Sequence, residues 1–453
     1  MDSSHRSYEK GKTVAQVATP PGEGGVAIIR ISGDEAFAIG NKIFSKDLMT
    51  CESHRALYGK ILSLDQTVID QVLILPLRAP RSFTGEDTIE IHCHGGSLVT
   101  AKILQRVFDA GALPALAGEF SFKAFMNGKI DLSQAEAIQE MIMAKSEKSL
   151  QAAKSQLEGA LKETIQLLQK ELAHIAAIFE AWVDYPEEGL EFASYDDILL
   201  SLSNIMEKLN KLAISYHDGK LVKQGVKLAL IGAPNAGKSS LMNALIGKER
   251  AIVTDIAGTT RDTLDVDFTY DGIHFILTDT AGIRETEEII EKEGIKRSYI
   301  SAQEADLILH VIDSSSSPQA PLFESNDENK TLTVCNKIDL AKSRFENNDS
   351  TIYISAKNRL GIDDLKRAIK SKIFKKDSIM NDQIIITKER HHAAILNAFN
   401  YLHLVREGLQ SDLSPELLSI DIKASLKELG TIIGTDVTED ILNAIFSQFC
   451  VGK

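Results

Sequence analysis

Residues 232–239 read Gly232-Ala233-Pro234-Asn235-Ala236-Gly237-Lys238-Ser239. The run follows an apolar stretch at 226–231 and precedes a helical pattern, which is the context that a phosphate-binding loop requires. Its glycines let backbone N–H groups converge on phosphates at the N-terminus of the following helix. Lys238 can reach the terminal phosphates, Ser239 can ligate Mg²⁺, and Ser240 follows at the same junction. The run therefore predicts a nucleotide site at one edge of an α/β sheet.

An alternation of strands and helices extends outward from this loop over residues 220–377. The predicted strands cover 226–231, 263–270, 273–278, 307–312, 331–335 and 351–354. Asp271-Gly272 is a two-residue hairpin signal, so the second and third strands should form an antiparallel edge on an otherwise parallel sheet. The pattern predicts a self-contained α/β domain.

Three further motifs follow the loop in an order typical of guanine nucleotide binding. Asp279-Thr280-Ala281-Gly282 ends a predicted strand, where a carboxylate can hold the Mg²⁺ shell and the Gly282 amide can meet the γ-phosphate. Asn336-Lys337-Ile338-Asp339 can select guanine, because Asp339 can accept from a ring N–H and an exocyclic amine, a donor pair that adenine lacks. Ser355-Ala356-Lys357 is expected to support the base from the other side.

The groups that would carry hydrolysis are less evident. The first switch is expected at Thr254-Asp255-Ile256-Ala257-Gly258-Thr259-Thr260-Arg261-Asp262. Thr260 could close on Mg²⁺, and Arg261 could act as a finger or pair with Asp262. Ile283 follows Gly282, and an aliphatic side chain cannot orient water as Gln would. The candidates for that role are Glu285, Glu287, Glu288, Glu291 and Glu293, each of which alone is more often a solvated helix carboxylate.

The sequence on either side of the α/β domain predicts two other architectures. Residues 1–122 alternate short β runs with Gly- and Pro-rich punctuation, which indicates a compact α+β unit. Helical periodicity covers 123–219, where Ser133 and Glu136 fit a capping box, and it returns over 378–453. The simplest assembly is one discontinuous all-helical domain into which the α/β domain is inserted.

Composition limits the class of protein. The 453 residues carry a net charge of −14, which excludes a protein that coats nucleic acid by bulk charge, so an RNA partner needs a local basic site. The sequence lacks an apolar run of about 18 residues, which argues against a membrane span. The start of the chain lacks a secretory pattern, so a cytoplasmic location is expected. The four cysteines lack paired spacing, which predicts free thiols in a reducing compartment.

Further short motifs flank the α/β domain. They are Ala18-Thr19-Pro20-Pro21-Gly22, Arg30-Ile31-Ser32-Gly33, Ser82-Phe83-Thr84-Gly85-Glu86-Asp87, His94-Gly95-Gly96, Gly118-Glu119-Phe120, Asn127-Gly128-Lys129-Ile130-Asp131-Leu132, Gln134-Ala135-Glu136-Ala137 and Phe449-Cys450-Val451-Gly452-Lys453. With the nucleotide motifs, they make the chain resemble the MnmE (TrmE) family of tRNA-modification GTPases along nearly its whole length. The terminal run is the most specific of them.

The resemblance implies a homodimer built on the N-terminal domain, which in this family binds a tetrahydrofolate derivative, 5-formyl or 5,10-methylene. Carried over by position, Arg30, Glu90, Lys129 and Lys453 would contact the folate. Without the resemblance, they read as a strand-end Arg, a strand carboxylate, a loop Lys and a tail residue. Cys450 matches the family's terminal cysteine and is either a thiolate nucleophile or a buried apolar residue.

For the nucleotide domain, the resemblance implies K⁺-dependent hydrolysis stimulated when two G domains meet. Glu291 matches the catalytic glutamate that positions water, with Lys238 on the phosphates and Ser239 and Thr260 as Mg²⁺ ligands. The implied K⁺ ligands are Asn235, Thr254, Ile256 and Thr259. The full GTP-binding set is Asn235, Ala236, Gly237, Lys238, Ser239, Ser240, Thr254, Asp255, Ile256, Ala257, Gly258, Thr259, Thr260, Asp279, Thr280, Ala281, Gly282, Asn336, Lys337, Asp339, Ser355, Ala356 and Lys357.

The resemblance further implies a function in tRNA modification. A GTPase of this family acts with a FAD-dependent MnmG (GidA)-type partner in a heterotetramer. Together they add an aminomethyl or carboxymethylaminomethyl group to C5 of the wobble uridine in certain tRNAs. Two alternatives stay open: a ribosome-assembly GTPase switch, which would need a KH-type RNA domain or a second G domain, and a folate transferase regulated by the G domain.

Overall fold

The computed structural model describes residues 11–184, 194–247, 264–279, 302–315, 330–340, 346–374, 384–449 and 452. The chain divides into two compact units, and each is described by itself. One comprises residues 1–139, 156–173 and 426–453, and the other comprises 140–155 and 174–425. Within the described ranges, every helix is too short or too polar to cross a membrane. The predicted domain limits 1–122, 123–219, 220–377 and 378–453 stay predictions.

The first unit is built on a mixed six-stranded sheet. Its strands are β1 Val14–Val17, β2 Gly24–Ser32, β3 Leu57–Leu62, β4 Val68–Leu77, β5 Thr88–Gly95 and β6 Leu113–Pro114, in the order β3-β4-β5-β2-β1-β6. Helices α1 (Ala36–Ile43) and α2 (Ser97–Asp109) contribute to one apolar core with Ile29 and Ile91. Because side chains alternate along a strand, Arg30 and Glu90 lie on the opposite face.

Further helices of the chain are α3 Glu119–Met126, α4 Leu132–Met143, α5 Glu147–Leu157, α6 Ala160–Asp184, α7 Tyr195–Gln224, α8 Lys238–Ile246, α9 Ile362–Ile373, α10 Glu389–Gln410, α11 Pro415–Ile433 and α12 Glu439–Phe446. Pro415 and Thr438 stand at the starts of α11 and α12, as predicted. In the first unit, Phe446 packs edge-on against Phe122 with ring centroids 5.1 Å apart, which joins α12 to α3.

The predicted capping box at Ser133 and Glu136 is wrong, because the observed one at the start of α4 lies two residues earlier. The Asp131 side chain accepts from the Gln134 backbone N–H at 2.9 Å, and the Gln134 side chain accepts from the Asp131 N–H at 3.0 Å. This reciprocal pair is the capping box. The Ser133 hydroxyl donates to Asp131 instead, because Leu132 already lies in the helix.

A buried ion pair ties α3 to the first sheet. Lys123 is fully buried, and its ammonium donates to Glu86 Oε2 at 2.6 Å and to the Lys12 carbonyl at 2.7 Å. Glu86 is 7% exposed, and its Oε1 has no hydrogen-bond partner among the described residues. Removing the cation would therefore leave an uncompensated buried carboxylate.

We expect Lys123→Met to destabilise the protein by about 3–5 kcal/mol, because breaking one partner of a buried pair costs more than replacing both. The measurement is the thermal melting of the full chain followed by circular dichroism. The control is the double variant Lys123→Met/Glu86→Leu, which removes both charges and should melt closer to the wild type. Equal losses in the single and double variants would contradict the prediction.

The second unit contains the predicted α/β sheet. Its strands are β7 Val226–Gly232, β8 Leu264–Tyr270, β9 Ile273–Asp279, β10 Leu307–Asp313, β11 Thr331–Asn336 and β12 Thr351–Tyr353, in the order β12-β11-β10-β7-β9-β8. Among the described strands of this sheet, β8 and β9 alone pair antiparallel, which confirms the hairpin and the parallel remainder. The strand prediction is correct to within a residue at each end.

The hairpin between β8 and β9 is held at its tip. Asp271 and Gly272 both have positive φ, as a two-residue hairpin turn with right-handed twist requires. The Gly272 carbonyl accepts from the Lys148 N–H in the first turn of α5 at 3.0 Å, and Asp271 pairs with Lys370 of α9. The hairpin is thus anchored on two separate helices.

Candidate functional site

The phosphate-loop motif occupies the expected junction between β7 and α8. A Cβ placed on Gly232 would lie 2.2 Å from the Val311 carbonyl oxygen, and one on Gly237 would lie 2.2 Å from Asn336 Nδ2. Gly237 also has a φ of +93°, which L-residues rarely adopt. Glycine is therefore required at both positions by the neighbouring strands β10 and β11.

The loop has the electrostatics of an anion site. Helix α8 has no acidic residue in its first turn, and its N-cap, Gly237, offers no side chain, so its first N–H groups are suited to an anion. Lys238 is 8% exposed, and its ammonium donates to the carbonyls of Gly232 at 2.8 Å and Ala233 at 3.0 Å. Ser239 and Ser240 are exposed at the start of the helix, where a hydroxyl oxygen fits the preference of Mg²⁺ for oxygen ligands.

Asn336 joins three of the predicted motifs. It is 2% exposed, and its Nδ2 donates to the Ala236 carbonyl of the phosphate loop at 3.0 Å. Its Oδ1 accepts from the Ala356 N–H at 3.0 Å. One buried amide thereby fixes the phosphate loop and two base-recognition loops relative to one another. The motif at 336–339 predicts that Asn336 lies in the site, but its local sequence does not indicate this connecting role.

Asp339 is positioned by Ser355. Asp339 lies in the 3₁₀ turn Ile338–Leu340, and its Oδ1 accepts from the Ser355 hydroxyl at 2.5 Å. Ser355 is fully buried and exchanges backbone hydrogen bonds with Leu360, so the hydroxyl is well fixed. Lys357 of the same motif is exposed. The structure thus brings Asp339 and Ser355, from two different motifs, into direct contact.

Lys337 makes an ion pair that the sequence analysis missed. Its ammonium lies 2.6 Å from Oδ2 of Asp313, the last residue of β10. Burial alone would raise the pKa of Asp313, but hydrogen bonds from Lys337 and Ser315 hold it below its usual value. The available sequence signal for this pair was Asp313 itself, a carboxylate that directly follows the predicted apolar strand 307–312 at the same sheet edge.

Other predicted residues have partial or no description. Asp279 ends β9, and its backbone lies opposite Leu230 of β7, at the sheet edge that carries the phosphate loop. The residues that lie outside the described ranges are Thr254, Asp255, Ile256, Ala257, Gly258, Thr259, Thr260, Thr280, Ala281, Gly282, Glu291, Cys450 and Lys453. Their roles stay predictions.

Two of the predicted folate contacts meet on the face of the first sheet that lies opposite α1 and α2. Arg30 and Glu90 are register partners on β2 and β5, and Arg30 Nε donates to Glu90 Oε1 at 2.9 Å. Arg30 Nη2 also lies 2.8 Å from this Oε1, while His92 Nε2 lies 3.7 Å from Glu90 Oε2. The guanidinium carbon is 5.7 Å and 5.4 Å from the ring centroids of Phe83 and Phe120.

The other two folate positions belong to loops. Lys129 is exposed, and its ammonium donates to the Pro80 carbonyl at 3.0 Å. Gly452, next to Lys453, is buried at a φ of +96°, and a Cβ there would lie 2.2 Å from the Val17 carbonyl oxygen of β1. Gly452 therefore packs against β1, the strand next to that of Arg30.

Comparison with known proteins agrees with this architecture. The family model "GTP-binding protein TrmE N-terminus" matches residues 13–129, and the model "MnmE helical domain" matches residues 132–450. The chain is 49% identical over 458 residues to "tRNA modification GTPase MnmE" of Protochlamydia amoebophila (strain UWE25), with 100% of each chain covered. It is 40% identical over 456 residues to the protein of that name from Thermoanaerobacter pseudethanolicus (strain ATCC 33223 / 39E), with 97% of this chain and 99% of that one covered.

Among solved structures, the chain is similar to the G domain of the T. maritima FeoB iron transporter. The two are 30% identical over 33% of this chain and 99% of that one, with a TM-score of 0.25. The full-length relatives and the family models confirm the predicted fold class, an N-terminal α+β domain, a helical domain and an inserted P-loop G domain. The chain therefore belongs to the MnmE (TrmE) family of tRNA modification GTPases.

Proposed function

We propose that this chain hydrolyses GTP to drive modification of C5 of the wobble uridine in certain tRNAs. It would act in the cytoplasm with a FAD-dependent MnmG (GidA)-type partner in a heterotetramer, adding an aminomethyl or carboxymethylaminomethyl group. The observation that carries the GTPase part is the buried Asn336 amide, which locks the phosphate loop to both base-recognition loops. The tRNA part rests on membership of the family.

Nucleoside analysis of bulk tRNA from a strain that lacks the gene tests this function. We expect the modified wobble uridine to disappear and to return when the gene is restored. A gene carrying Asp339→Asn should not restore it, because the base-recognition loop would be altered. If the deletion strain had the same nucleoside profile as the wild type, with the modified wobble uridine still present, the proposal would be contradicted.

Different residues of the site would bind the phosphates, the base and the metal ion of the bound GTP. The α8 N-terminus and Lys238 would hold the phosphates, and Asp339, held by Ser355, would read the guanine edge. Ser239 and Thr260 would hold Mg²⁺, which neutralises charge on the phosphate oxygens when bound. Glu291 would position the attacking water.

We extend the proposal to a K⁺ requirement, with Asn235, Thr254, Ile256 and Thr259 as ligands. Asn235 is exposed in the phosphate loop, with a φ of +64°. Its side-chain amide oxygen is a fitting donor for a hard cation, and a cation beside the phosphates would supply the positive charge that an arginine finger gives elsewhere. A backbone in the left-handed region also means that substitution acts on the loop as well as on the amide.

Hydrolysis should run at least about tenfold faster in K⁺ than in Na⁺, since a fixed charge at the phosphates is worth that much or more. Asn235→Ala and Asn235→Gly should both lose this preference, and the glycine variant keeps the left-handed backbone unstrained. Asn243→Ala, on the exposed side of α8, is the matched control and should keep it. Equal rates in the two salts for the wild type would refute the requirement.

We also propose that the sheet face that carries Arg30 and Glu90 binds a tetrahydrofolate derivative, 5-formyl or 5,10-methylene, as the one-carbon source. Both Arg30 contacts go to Glu90 Oε1, so Oε2 is suited to accept from the N–H edge of a pterin. Lys129 and Lys453 would meet the glutamate tail, and Cys450 stays a candidate nucleophile.

Equilibrium dialysis of 5-formyl-tetrahydrofolate should show binding that Glu90→Gln weakens at least about tenfold. Unchanged binding would contradict this assignment.

The same face supports a homodimer through the N-terminal domain. Tyr58, Leu73 and His92 form one cross-strand row, and the first two lie side by side at 57% and 47% exposed, which makes a small apolar patch that a second copy would cover. Sedimentation of the full chain should give a dimer, and Leu73→Asp should shift it toward the monomer. A monomeric wild type at micromolar concentration would contradict the dimer.

The ribosome-assembly alternative loses its structural basis in the described residues. The run Gly430-Thr431-Ile432-Ile433-Gly434 has the two glycines of a candidate KH-type loop, but α11 continues through Ile433. The sequence there is therefore helical, and we do not pursue this alternative.

A further inference from the structure

The end of β10 holds the base-recognition loop through side chains as well as through the sheet. Asp313 of β10 and Asn336 of β11 are register partners, so Lys337, the next residue along, leaves the sheet beside the Asp313 carboxylate. Lys337 Nζ lies 2.6 Å from Asp313 Oδ2. The other oxygen, Oδ1, accepts from the Ser315 N–H at 2.9 Å and from the Ser315 hydroxyl at 2.6 Å. The carboxylate is thus fixed at both oxygens.

The ion pair directs a side chain that would otherwise be mobile. Lys337 has a φ of +66°, so its Cα–Cβ bond leaves the loop in a direction that ordinary β or α backbone would not give. A lysine stem has many rotamers in solvent, and the carboxylate selects those that reach back to β10. The apolar methylenes then stay beside the loop that carries Asn336 and Asp339, while the charged end is drawn away.

We propose that Asp313 is a positioning residue for guanine nucleotide binding, and that it acts by holding the Lys337 stem as an apolar surface for the face of the base. Asp339 would meet the edge of the base, which leaves the face in need of an apolar neighbour. This inference rests on the proposed function only in that the site binds a guanine nucleotide. An ion pair near the surface that had only a structural role would contribute little to nucleotide binding. The experiment below distinguishes that case from a positioning role of Asp313.

The experiment measures the dissociation rate of a fluorescent GDP from the full chain. Asp313→Asn should raise this rate about tenfold, because a hydrogen bond to a charged group is lost while the shape of the side chain is kept. Lys337→Met keeps an apolar stem without the ammonium, so adding Asp313→Asn to it should change the rate by less than about twofold. Asp313→Glu keeps the charge and should recover part of the wild-type rate.

Asp364→Asn is the matched control, since it removes an exposed ion pair with Arg367 on α9 of the same sheet domain, and it should leave the rate unchanged. Two results would overturn the inference: an unchanged rate in Asp313→Asn, or an equal rise in the wild-type and Lys337→Met backgrounds. The second would indicate general loosening of the loop, even if the single variant is less stable. Failure of the wild type itself to bind GDP would instead overturn the proposed function.

Discussion

Gly237→Ala is expected to weaken guanine nucleotide binding by at least about a hundredfold. The left-handed backbone costs a residue with a Cβ about 1–2 kcal/mol, and displacing the buried Asn336 amide adds about 1–3 kcal/mol for each group left unsatisfied. A loss near 3 kcal/mol corresponds to about two decades in Kd. Titration of the full chain with a fluorescent GDP measures it.

Gly247→Ala separates the two causes. Gly247 follows α8 at a φ of +57° and a ψ of −154°, a conformation that glycine alone adopts readily, so alanine meets at least as much backbone strain there. A Cβ at Gly247 has no neighbour within 4 Å among the described residues, in contrast to the 2.2 Å approach at Gly237. We therefore expect its Kd to rise by less than about tenfold. Equal losses in the two variants would mean that the Asn336 contact is not what makes Gly237 necessary.

Asp339→Asn should lower GTP affinity by about two to three decades and should raise affinity for xanthosine triphosphate. The aspartate can accept from both guanine donors, whereas an asparagine presents an N–H₂ group to one of them, so that two donors face each other. Xanthine carries a carbonyl where guanine carries its amine, so the same N–H₂ group can donate to it. Competition between the two triphosphates measures the change.

Ser355→Ala is the control for this substitution. It removes the 2.5 Å hydrogen bond to Asp339 but keeps the carboxylate, so both nucleotides should weaken modestly and GTP should stay preferred. If Asp339→Asn lowered the two affinities by the same factor, damage to the loop rather than altered recognition would be the cause.

The second sheet could be predicted from sequence because each of its strands has a clear local sequence pattern. Apolar runs bounded by turn residues gave its strands, and Asp271-Gly272 gave the antiparallel edge. Strand β3 was missed because Gly59 and Lys60 interrupt it. The glycine is needed because a Cβ there would lie 2.3 Å from the Phe44 ring, a contact between distant parts of the chain that local patterns do not contain.

For the site as well, the features that local sequence encodes could be predicted, and those that depend on contacts between distant residues could not. Motif order predicted that Lys238, Asn336 and Asp339 meet at one sheet edge, since parallel strands bring their carboxyl ends together. The connecting role of Asn336 and the pairing of Asp313 with Lys337 depend on the register between β10 and β11. Arg30 and Glu90 are separated by 60 residues, and their position as register partners follows from the sheet rather than from spacing.

The anchored tip of the β8–β9 hairpin affects how this protein should be dissected. One strand begins just after the predicted first switch and the other ends at Asp279, so the hairpin joins both nucleotide-sensing segments. Its tip is bonded to Lys148 of α5, and the buried His274 lies against Gly225, between α7 and β7. A G domain excised at residues 220–377 would lose the α5 contact and the body of α7. Kinetic constants from such a fragment would describe a hairpin whose tip has lost the Lys148 anchor and keeps the ion pair with Lys370, so the full chain is the proper reference for them.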